Sequence, residues 1–237
     1  MRLSQKADAA YLALRQAIME QALTPGTKLP EDPLAEQFQI SRTLVRAALA
    51  RLAGEGLIVM GNKRTATVAQ PSLEEARAVF EVRRCLEAEV VRLVCARWQD
   101  AWRAPLTAHV RAEQAAAASG QAKASIRLAG EFHVRLAELA GNPLLARYLD
   151  EVATRCSLIL AVYGRPHSSD CAITEHGALI EALARRDAEG AVQLMAEHLH
   201  GIEQRAQLTR IVRDERDLGS ILAAYSKGHQ DAEGTAA

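Results

Sequence analysis

The sequence predicts a mainly α-helical protein, with a small mixed domain at the N-terminus and an all-helical bundle after it. Hydrophobic residues make up 49% of the 237 residues and aromatic residues only 4%, and the dominant Ala, Leu, Arg and Glu are strong helix formers. Apolar residues recur at helical spacing along most of the chain. The exception lies between residues 57 and 68, where two short β-prone runs flank a turn-prone stretch, so we expect one hairpin among helices.

Two helices are predicted at the start of the chain. The first, near residues 7–22, ends at Thr24-Pro25-Gly26, because proline blocks continuation and glycine accepts the turn. Asp32 is expected to cap the second helix, with Pro33 at its first position, where a missing N–H is harmless.

A third helix and a hairpin complete this N-terminal domain. After a turn at Gln39-Ile40, Ser41 is a good N-cap for a helix that runs to about residue 53. Strands are expected at 57–60 and 66–68, around the tip Gly61-Asn62-Lys63-Arg64. This order of elements is typical of a winged helix-turn-helix, which places one helix in the major groove of DNA.

The charge of the chain is unevenly distributed, in a way that supports nucleic-acid binding. The formal net charge is zero, but residues 1–70 contain nine Lys or Arg against six Asp or Glu, a net charge of +3, so the remainder carries −3. Arg42, Thr43 and Arg46 lie near the start of the third helix, opposite its apolar face. A local positive field suits phosphate contact, and the guanidinium group suits phosphates and guanine edges.

The second domain is predicted to be entirely helical. Ser72 and Glu75 form a capping box at its start. We expect residues 1–70 to form the DNA-binding domain, 71–228 a bundle of six or seven helices, and 229–237 a disordered tail. The predicted helices of the bundle lie near residues 73–99, 102–119, 122–140, 143–163, 169–186 and 188–212, with a short one at 215–225.

Neither the cysteines nor the hydropathy indicates secretion or a membrane. The four cysteines lack CxxC spacing and lie in helix-like segments, so reduced and mostly buried thiols are expected. The most apolar stretch, Leu158–Tyr163, is too short to span a bilayer, and the first ten residues are polar rather than leader-like. We expect a soluble, cytoplasmic protein with no membrane partner.

With these residues in hand, the chain resembles the GntR family of bacterial transcription regulators, and within it the FadR-like subfamily with an all-helical FCD effector domain. The N-terminal match rests on Pro25-Gly26, Leu29-Pro30-Glu31, Leu34-Ala35, Ile40-Ser41-Arg42, Val45-Arg46, Ala48-Leu49, Leu52 and Glu55-Gly56-Leu57. The C-terminal match rests on Glu81-Val82-Arg83, Leu86-Glu87, Phe132-His133, Ala140-Gly141-Asn142-Pro143-Leu144-Leu145, Glu175-His176, Arg186-Asp187-Ala188, Met195 and His198-Leu199.

The resemblance implies a repressor that binds a pseudo-palindromic DNA operator as a homodimer and holds a small organic-acid effector inside each helical domain. It implies that Arg42 and Arg46 contact operator bases or phosphates, and that the wing tip reaches the minor groove. A glycine usual at that tip aligns with Thr65, a poor residue for φ > 0. Another turn geometry is therefore expected, with Lys63 and Arg64 making the contacts.

Three histidines match the metal ligands of FCD domains by the same resemblance. His133, His176 and His198 lie on different predicted helices, and their spacing alone matches no local metal motif. In many FCD domains an Asp one turn before the first His completes the site, but Ala129 stands there. Three imidazoles remain a sound set of ligands for zinc or nickel. The alternative is that these histidines bind an organic effector directly, without a metal.

Two further expectations concern the effector and catalysis. The resemblance directs Arg83, rather than its neighbour Arg84, toward the cavity, where it can hold a carboxylate through two hydrogen bonds. A three-histidine metallohydrolase with an accessory DNA-binding head is the enzymatic alternative, and it would need a placed general base. Glu175 and Glu197 adjoin candidate ligands but point about a quarter turn away on their helices. We therefore expect no catalytic residue and no enzyme.

Overall fold

The computed structural model describes residues 3–61, 65–163 and 170–206. The chain divides after Pro71 into two compact units, each described here by itself. The predicted fold class is confirmed, since helices dominate both units and the β-structure of the described residues is one small sheet in the first unit.

Three helices form the body of the first unit: α1 (Leu3–Met19), α2 (Glu31–Phe38) and α3 (Arg42–Gly54). α1 packs against α3. Their facing sides are apolar, since Leu14 and Ile18 of α1 and Val45, Leu49 and Leu52 of α3 are at most 1% exposed. Side chains at this spacing line one side of a helix, so α3 is held from behind while its polar side stays exposed.

α2 starts differently from the prediction. Pro30 precedes the helix in an extended conformation and no side chain caps it, so the prediction that Asp32 is the N-cap is wrong. Asp32 and Pro33 lie inside the first turn. Proline is tolerated there because the first four N–H groups of a helix have no intrahelical partner.

The turn between α2 and α3 is confirmed. Gln39 adopts a left-handed conformation, with φ of 52°, and ends α2. Ser41 is the N-cap of α3, and its Oγ accepts a hydrogen bond from the Leu44 N–H at 3.4 Å. The cap fixes the start of α3 and therefore the position of the residues that follow it.

Three short antiparallel strands form the sheet, in the order β1-β3-β2: β1 (Lys28–Pro30), β2 (Ile58–Val59) and β3 (Thr65–Val68). The two predicted strands are confirmed, although β2 is only two residues long. β1 was not predicted, because three residues are too few for an alternating pattern. Leu29 pairs with Ala66 and Ile58 with Val68, and all four side chains are buried.

Within residues 72–163 and 170–206, the second unit contains six long helices: α4 (Leu73–Arg97), α5 (Arg103–Ala118), α6 (Ala122–Leu139), α7 (Pro143–Tyr163), α8 (Asp170–Ala184) and α9 (Ala188–Arg205). Each corresponds to a predicted helix, with ends shifted by a few residues. A short 3-10 helix, Asp100–Trp102, precedes α5 and was not predicted. The expected continuation of α9 to residue 212, the helix at 215–225 and the tail at 229–237 lie outside the described residues.

Local capping chemistry explains where several of these helices begin and end. The Ser72 Oγ accepts a hydrogen bond from the Glu75 N–H at 3.1 Å, and the Glu75 carboxylate accepts one from the Ser72 N–H at 2.6 Å, so the predicted capping box is confirmed. Gly141, at φ of 68°, follows α6. Asn142 then accepts hydrogen bonds from two N–H groups of the first turn of α7, each at 3.2 Å.

The core of the second unit is largely aliphatic, and the inner faces of its helices pack against one another. Val90 and Val94 of α4, Phe132 of α6, Leu149 of α7 and Met195 of α9 belong to a single buried cluster. α5 packs on α6 and α8, α8 on α9, and α4 on α6, α7 and α9. Polar side chains on these inner faces are therefore held by rigid neighbours.

The cysteines and the hydropathy agree with expectation where the structure describes them. Cys95 and Cys156 are buried free thiols, and Cys85 is an exposed one. The side chain of Cys171 lies outside the described residues. No helix in the described ranges has the length and apolarity needed to cross a membrane.

Candidate functional site

The first turns of α3 present the residues that were predicted to read DNA. Arg42, Thr43 and Arg46 are all exposed, and they follow directly after the Ser41 cap. The apolar side of α3 is buried against the rest of the unit. A ligand can therefore bind to the exposed side of α3 without disturbing the core.

Both arginines are held by acidic side chains of α2. The Arg42 Nε lies 2.6 Å from Asp32 Oδ1, and both side chains are well exposed. Arg46 forms a two-pronged contact with Glu31, from Nε to Oε1 at 3.0 Å and from Nη2 to Oε2 at 2.7 Å, and Glu31 is only 5% exposed. The local positive charge expected from the sequence is therefore partly balanced in the fold, because these two carboxylates come from another helix.

The two ion pairs differ in what they do. An exposed pair such as Arg42–Asp32 contributes at most about 1 kcal/mol, so a phosphate can displace it. The buried Glu31 carboxylate instead fixes the plane of the Arg46 guanidinium and leaves other N–H groups of that fork for a base or phosphate.

The wing is described only at its base. Lys63 and Arg64, the predicted contacts of the wing tip, lie outside the described residues. Thr65 begins β3 and pairs with Pro30, so it carries no left-handed strain. The position in the described part of the wing that requires glycine is instead Gly61, where a side chain would collide with the Thr65 carbonyl oxygen.

In the second unit, the three predicted histidines meet in one buried cluster. His133 comes from α6, His176 from α8 and His198 from α9, and each is at most 3% exposed. One ring nitrogen of each lies within 4.8 Å of the others. The Nε2 atoms of His133 and His198 are 3.2 Å apart.

Each histidine is oriented by a glutamate on a neighbouring helix. The Nδ1 atom of His133 lies 2.5 Å from Glu87, that of His176 lies 3.0 Å from Glu113, and that of His198 lies 2.6 Å from Glu175. Since carboxylates accept hydrogen bonds, each Nδ1 carries the proton and each Nε2 carries the lone pair. Sequence reasoning missed all three glutamates as partners of these rings.

Glu87 also links the histidines to Arg83. Its second oxygen lies 2.6 Å from Arg83 Nε, and Arg83 Nη1 lies 3.1 Å from the sulfur of Cys156. Arg83 is 4% exposed and Glu87 is fully buried. Arg84, by contrast, is partly exposed and pairs with Glu203, so the structure brings only the first of the two arginines to the histidine cluster.

Burial determines the protonation of this network. Burial lowers the pKa of His133 to about 3 and also lowers the pKa of His198. Burial alone would raise the pKa of Glu87, but the charge of Arg83 and the hydrogen bonds from His133 and Arg83 lower it. Because His133 is neutral near pH 7, the Arg83 guanidinium is the cation that keeps Glu87 ionised there.

A small cavity of about 100 Å³ adjoins the cluster. His133, His198, Arg83 and Cys156 contribute to its wall, and so does Ala129, the position where the resemblance leads one to expect an Asp. Much of the remaining wall is apolar. Among the described residues, the side-chain atoms that are buried without a hydrogen-bond partner are Glu113 Oε1, Ser125 Oγ and His176 Nε2.

Comparison with known families identifies both units. The FCD domain matches residues 78–201, and the family described as bacterial regulatory proteins, gntR family, matches residues 6–68. The FCD match alone covers more than half of the chain. The chain is a GntR-family regulator. The predicted resemblance is thereby confirmed.

Similar proteins span most of this GntR-family regulator. It is 24% identical over 201 residues to the HTH-type transcriptional repressor RspR of Escherichia coli (strain K12), covering 84% of this chain and 88% of RspR. It is 29% identical over 216 residues to the HTH-type transcriptional repressor NanR of Cronobacter sakazakii, covering 80% of each. The family and these relatives are regulators, which confirms that the enzymatic alternative does not apply.

Solved structures support the fold of the GntR-family regulator. E. coli McbR/YncC matches with a TM-score of 0.78 and 22% identity, over 87% of this chain and 97% of that chain. A putative GntR regulator from Rhodococcus sp. RHA1 matches with a TM-score of 0.73 and 22% identity, over 86% and 97%.

The metal-free regulator should lose stability as the pH falls below about 6.5, the ordinary pKa of histidine. Unfolded His133 takes up a proton there, whereas folded His133 does so only near pH 3. The unfolded state thus binds more protons across this range, and lower pH favours it. The free energy of unfolding is measured with urea, in the presence of a chelator, between about pH 5 and 7. Plotted against pH, it should rise less steeply in His133→Gln than in the wild type, by up to about 1.4 kcal/mol per pH unit. Equal slopes would show that burial does not keep His133 neutral.

Proposed function

We propose that this protein is an effector-responsive repressor that binds a pseudo-palindromic operator as a homodimer. Arg42, Thr43 and Arg46 read the DNA, and the FCD domain senses a small carboxylate through a divalent metal, zinc or nickel, held by His133, His176 and His198. The repressor role is supported by RspR and NanR, which are named transcriptional repressors.

The observation that carries the metal proposal is the orientation of the three imidazoles. Each Nδ1 is taken by a carboxylate, so the three lone pairs on Nε2 are left for a shared ligand. Carboxylate–histidine pairs of this kind typically orient the ligands of a bound metal. The Nε2 atoms of His133 and His198 are 3.2 Å apart, close to the roughly 3.3 Å between tetrahedral ligands with zinc–nitrogen bonds of about 2.0–2.1 Å. His133 and His198 therefore already have the spacing of two ligands of one metal. His176, whose ring nitrogen lies within 4.8 Å of theirs, would complete the site by a small closing movement, without a carboxylate at position 129.

The buried charges support an acidic effector. Glu87 and Glu113 are fully buried and Arg83 nearly so, which leaves a net charge of −1 among them when the glutamates are ionised. A divalent ion changes this to +1, and one carboxylate then brings the buried charge to zero. Among the described residues, Glu87 and Cys156 engage two of the five N–H groups of Arg83, so the other three are donors that this carboxylate could use.

Repression follows from a coupling between the two domains. An effector that favours one arrangement of the two DNA-binding domains in the dimer changes how well their spacing matches the two half-sites of the operator. A metal held by the three histidines would supply a positive charge and open coordination positions for the effector, and Arg83 would orient the carboxylate.

The metal-free alternative also has an observation in its favour. A separation of 3.2 Å between His133 and His198 is a hydrogen-bonding distance when one of the two rings is protonated on Nε2. The histidines would then bind the effector directly. Elemental analysis of protein purified without chelators separates the two: about one zinc or nickel per chain supports the metal, and its absence supports direct binding.

Arg46→Ala should weaken operator binding by about 10- to 100-fold, since a two-pronged contact to a base contributes roughly 1–3 kcal/mol. Binding is measured by fluorescence anisotropy at several salt concentrations, on operator fragments that the wild-type protein selects from genomic DNA. Arg51→Ala is the matched control, because Arg51 lies in the last turn of α3 and pairs with Asp8. Equal operator affinity of wild type and Arg46→Ala would remove Arg46 from the interface.

A further inference from the structure

Two polar groups in the wall of the cavity have no partner among the residues that the structure describes. They are Oε1 of Glu113 and Oγ of Ser125. Glu113 is fully buried and Ser125 is 3% exposed. A buried polar atom without a hydrogen bond is destabilising, so these atoms point to something that the cavity binds.

Both groups belong to side chains that line the cavity. Ser125, Ala129 and His133 are spaced four residues apart on α6 and therefore share one face of the helix. The methyl group of Ala129, which lies between the other two on this face, offers Ser125 no hydrogen bond. On α5, the other oxygen of Glu113 is bonded by the Nδ1–H of His176 at 3.0 Å, which fixes the carboxylate and leaves Oε1 unpaired.

We propose that Glu113 and Ser125 form a second subsite, which binds a hydrogen-bond-donating group on the effector, a hydroxyl or an ammonium. This inference rests on the proposed function, in which Arg83 and the metal hold the carboxylate of the same molecule. An ionised carboxylate only accepts hydrogen bonds, so the group that meets Glu113 must donate one. An unsubstituted acid would leave Oε1 of Glu113 buried and without a hydrogen bond, and a site of this kind discriminates strongly against such a ligand.

The size of the cavity limits the ligand to a small acid. The cavity has about 100 Å³ of space, which is well below the roughly 300–1,000 Å³ of pockets that take drug-sized ligands. The apolar wall, which includes Leu160 and Ile202, offers no further charged partner for a second acidic group. Three- to five-carbon monocarboxylates that carry a hydroxyl or an amino group fit these limits.

The test is calorimetric binding to the metal-loaded full chain. The probes are propanoate, 2-hydroxypropanoate and 2-aminopropanoate, together with the corresponding four- and five-carbon sets. Wild-type protein should bind the hydroxy or amino member of a set at least about 10-fold more tightly than the unsubstituted acid. Comparison of the hydroxy and amino arms identifies which donor is recognised.

Two serine variants test the subsite itself. Ser125→Ala should lose most of this preference while it keeps its metal content and thermal stability, because it removes a hydroxyl that has no protein partner. Ser157→Ala is the matched control: Ser157 also lines the cavity, but its hydroxyl donates to the Ala153 carbonyl at 3.2 Å. This control should retain the preference.

The outcomes separate the inference from the proposed function. Equal binding of substituted and unsubstituted acids, or an unchanged preference in Ser125→Ala, overturns the second subsite and leaves acid sensing intact. An equal loss of this preference in Ser125→Ala and Ser157→Ala also overturns the second subsite. If no acid of any set binds the metal-loaded protein, the acid-sensing function fails and the subsite fails with it.

Discussion

Saturating the metal-stripped protein with zinc or nickel should raise its free energy of unfolding by about 4 kcal/mol when the free ion is at a thousand times its dissociation constant. A ligand that binds only the folded state stabilises it, and the three Nε2 atoms come together only in the folded domain, since they lie on α6, α8 and α9. Urea unfolding with controlled free metal measures the effect directly.

Two histidines on the same helix provide the control for this measurement. His198→Ala removes a buried ligand of the proposed site and should abolish most of the metal-dependent stabilisation. His200→Ala should leave it unchanged, because His200 is exposed and contacts Gln204. Equal metal-dependent stabilisation in the two variants would locate the ion elsewhere. No stabilisation of the wild-type protein would support the direct-binding alternative.

Local patterns predicted most of the fold. Ser41 and Ser72 cap helices as predicted, and Asn142, predicted only as a break, also caps one; each cap joins residues two or three positions apart. The apolar spacing of the helices was equally informative, because burial requires one continuous face. The strand β1 escaped prediction since its pairing with β3 joins residues almost forty positions apart.

The partners of the functional side chains could not be predicted in the same way. Glu31 and Asp32 are separated from α3 by a turn, and a charge count along the chain gives no sign that they meet Arg46 and Arg42. Glu175 precedes His176 in the sequence, yet its carboxylate bonds His198 on α9. Contacts of this kind depend on how helices pack, which sequence periodicity alone does not specify.

The family resemblance and the structure contribute different parts of the site. The resemblance supplied the three histidines and Arg83, because these occupy recognisable positions in a motif. It assigned no role to Glu87, Glu113 or Glu175 as partners of the imidazoles, and it drew attention to Ala129 as a lost ligand. In the structure Ala129 instead lines a cavity beside Ser125, so the missing carboxylate coincides with space for a ligand.

Glu87→Gln should destabilise the protein by about 3–5 kcal/mol, the usual effect of removing one partner from a buried ion pair. The loss arises because Arg83 stays charged in the interior, whereas glutamine preserves the volume and an acceptor for His133. Urea unfolding with a chelator measures this loss without a contribution from bound metal. Glu89→Gln is the control, since Glu89 is exposed on the same helix and only loosely paired with Arg92 at 3.7 Å; it should change stability by less than about 0.5 kcal/mol.

A second substitution distinguishes charge from packing as the cause. Adding Arg83→Met to Glu87→Gln removes the uncompensated guanidinium, and replacing both members of a buried pair by neutral groups is often close to neutral. The double variant should therefore recover most of the lost stability, so the coupling between the two positions is large. If the double variant is as unstable as the single one, packing around Glu87 rather than the charge of Arg83 is responsible. Arg83 is also proposed to donate hydrogen bonds to the effector carboxylate. The double variant should therefore fold and yet bind small acids weakly, which would separate the stabilising role of the pair from its role in sensing.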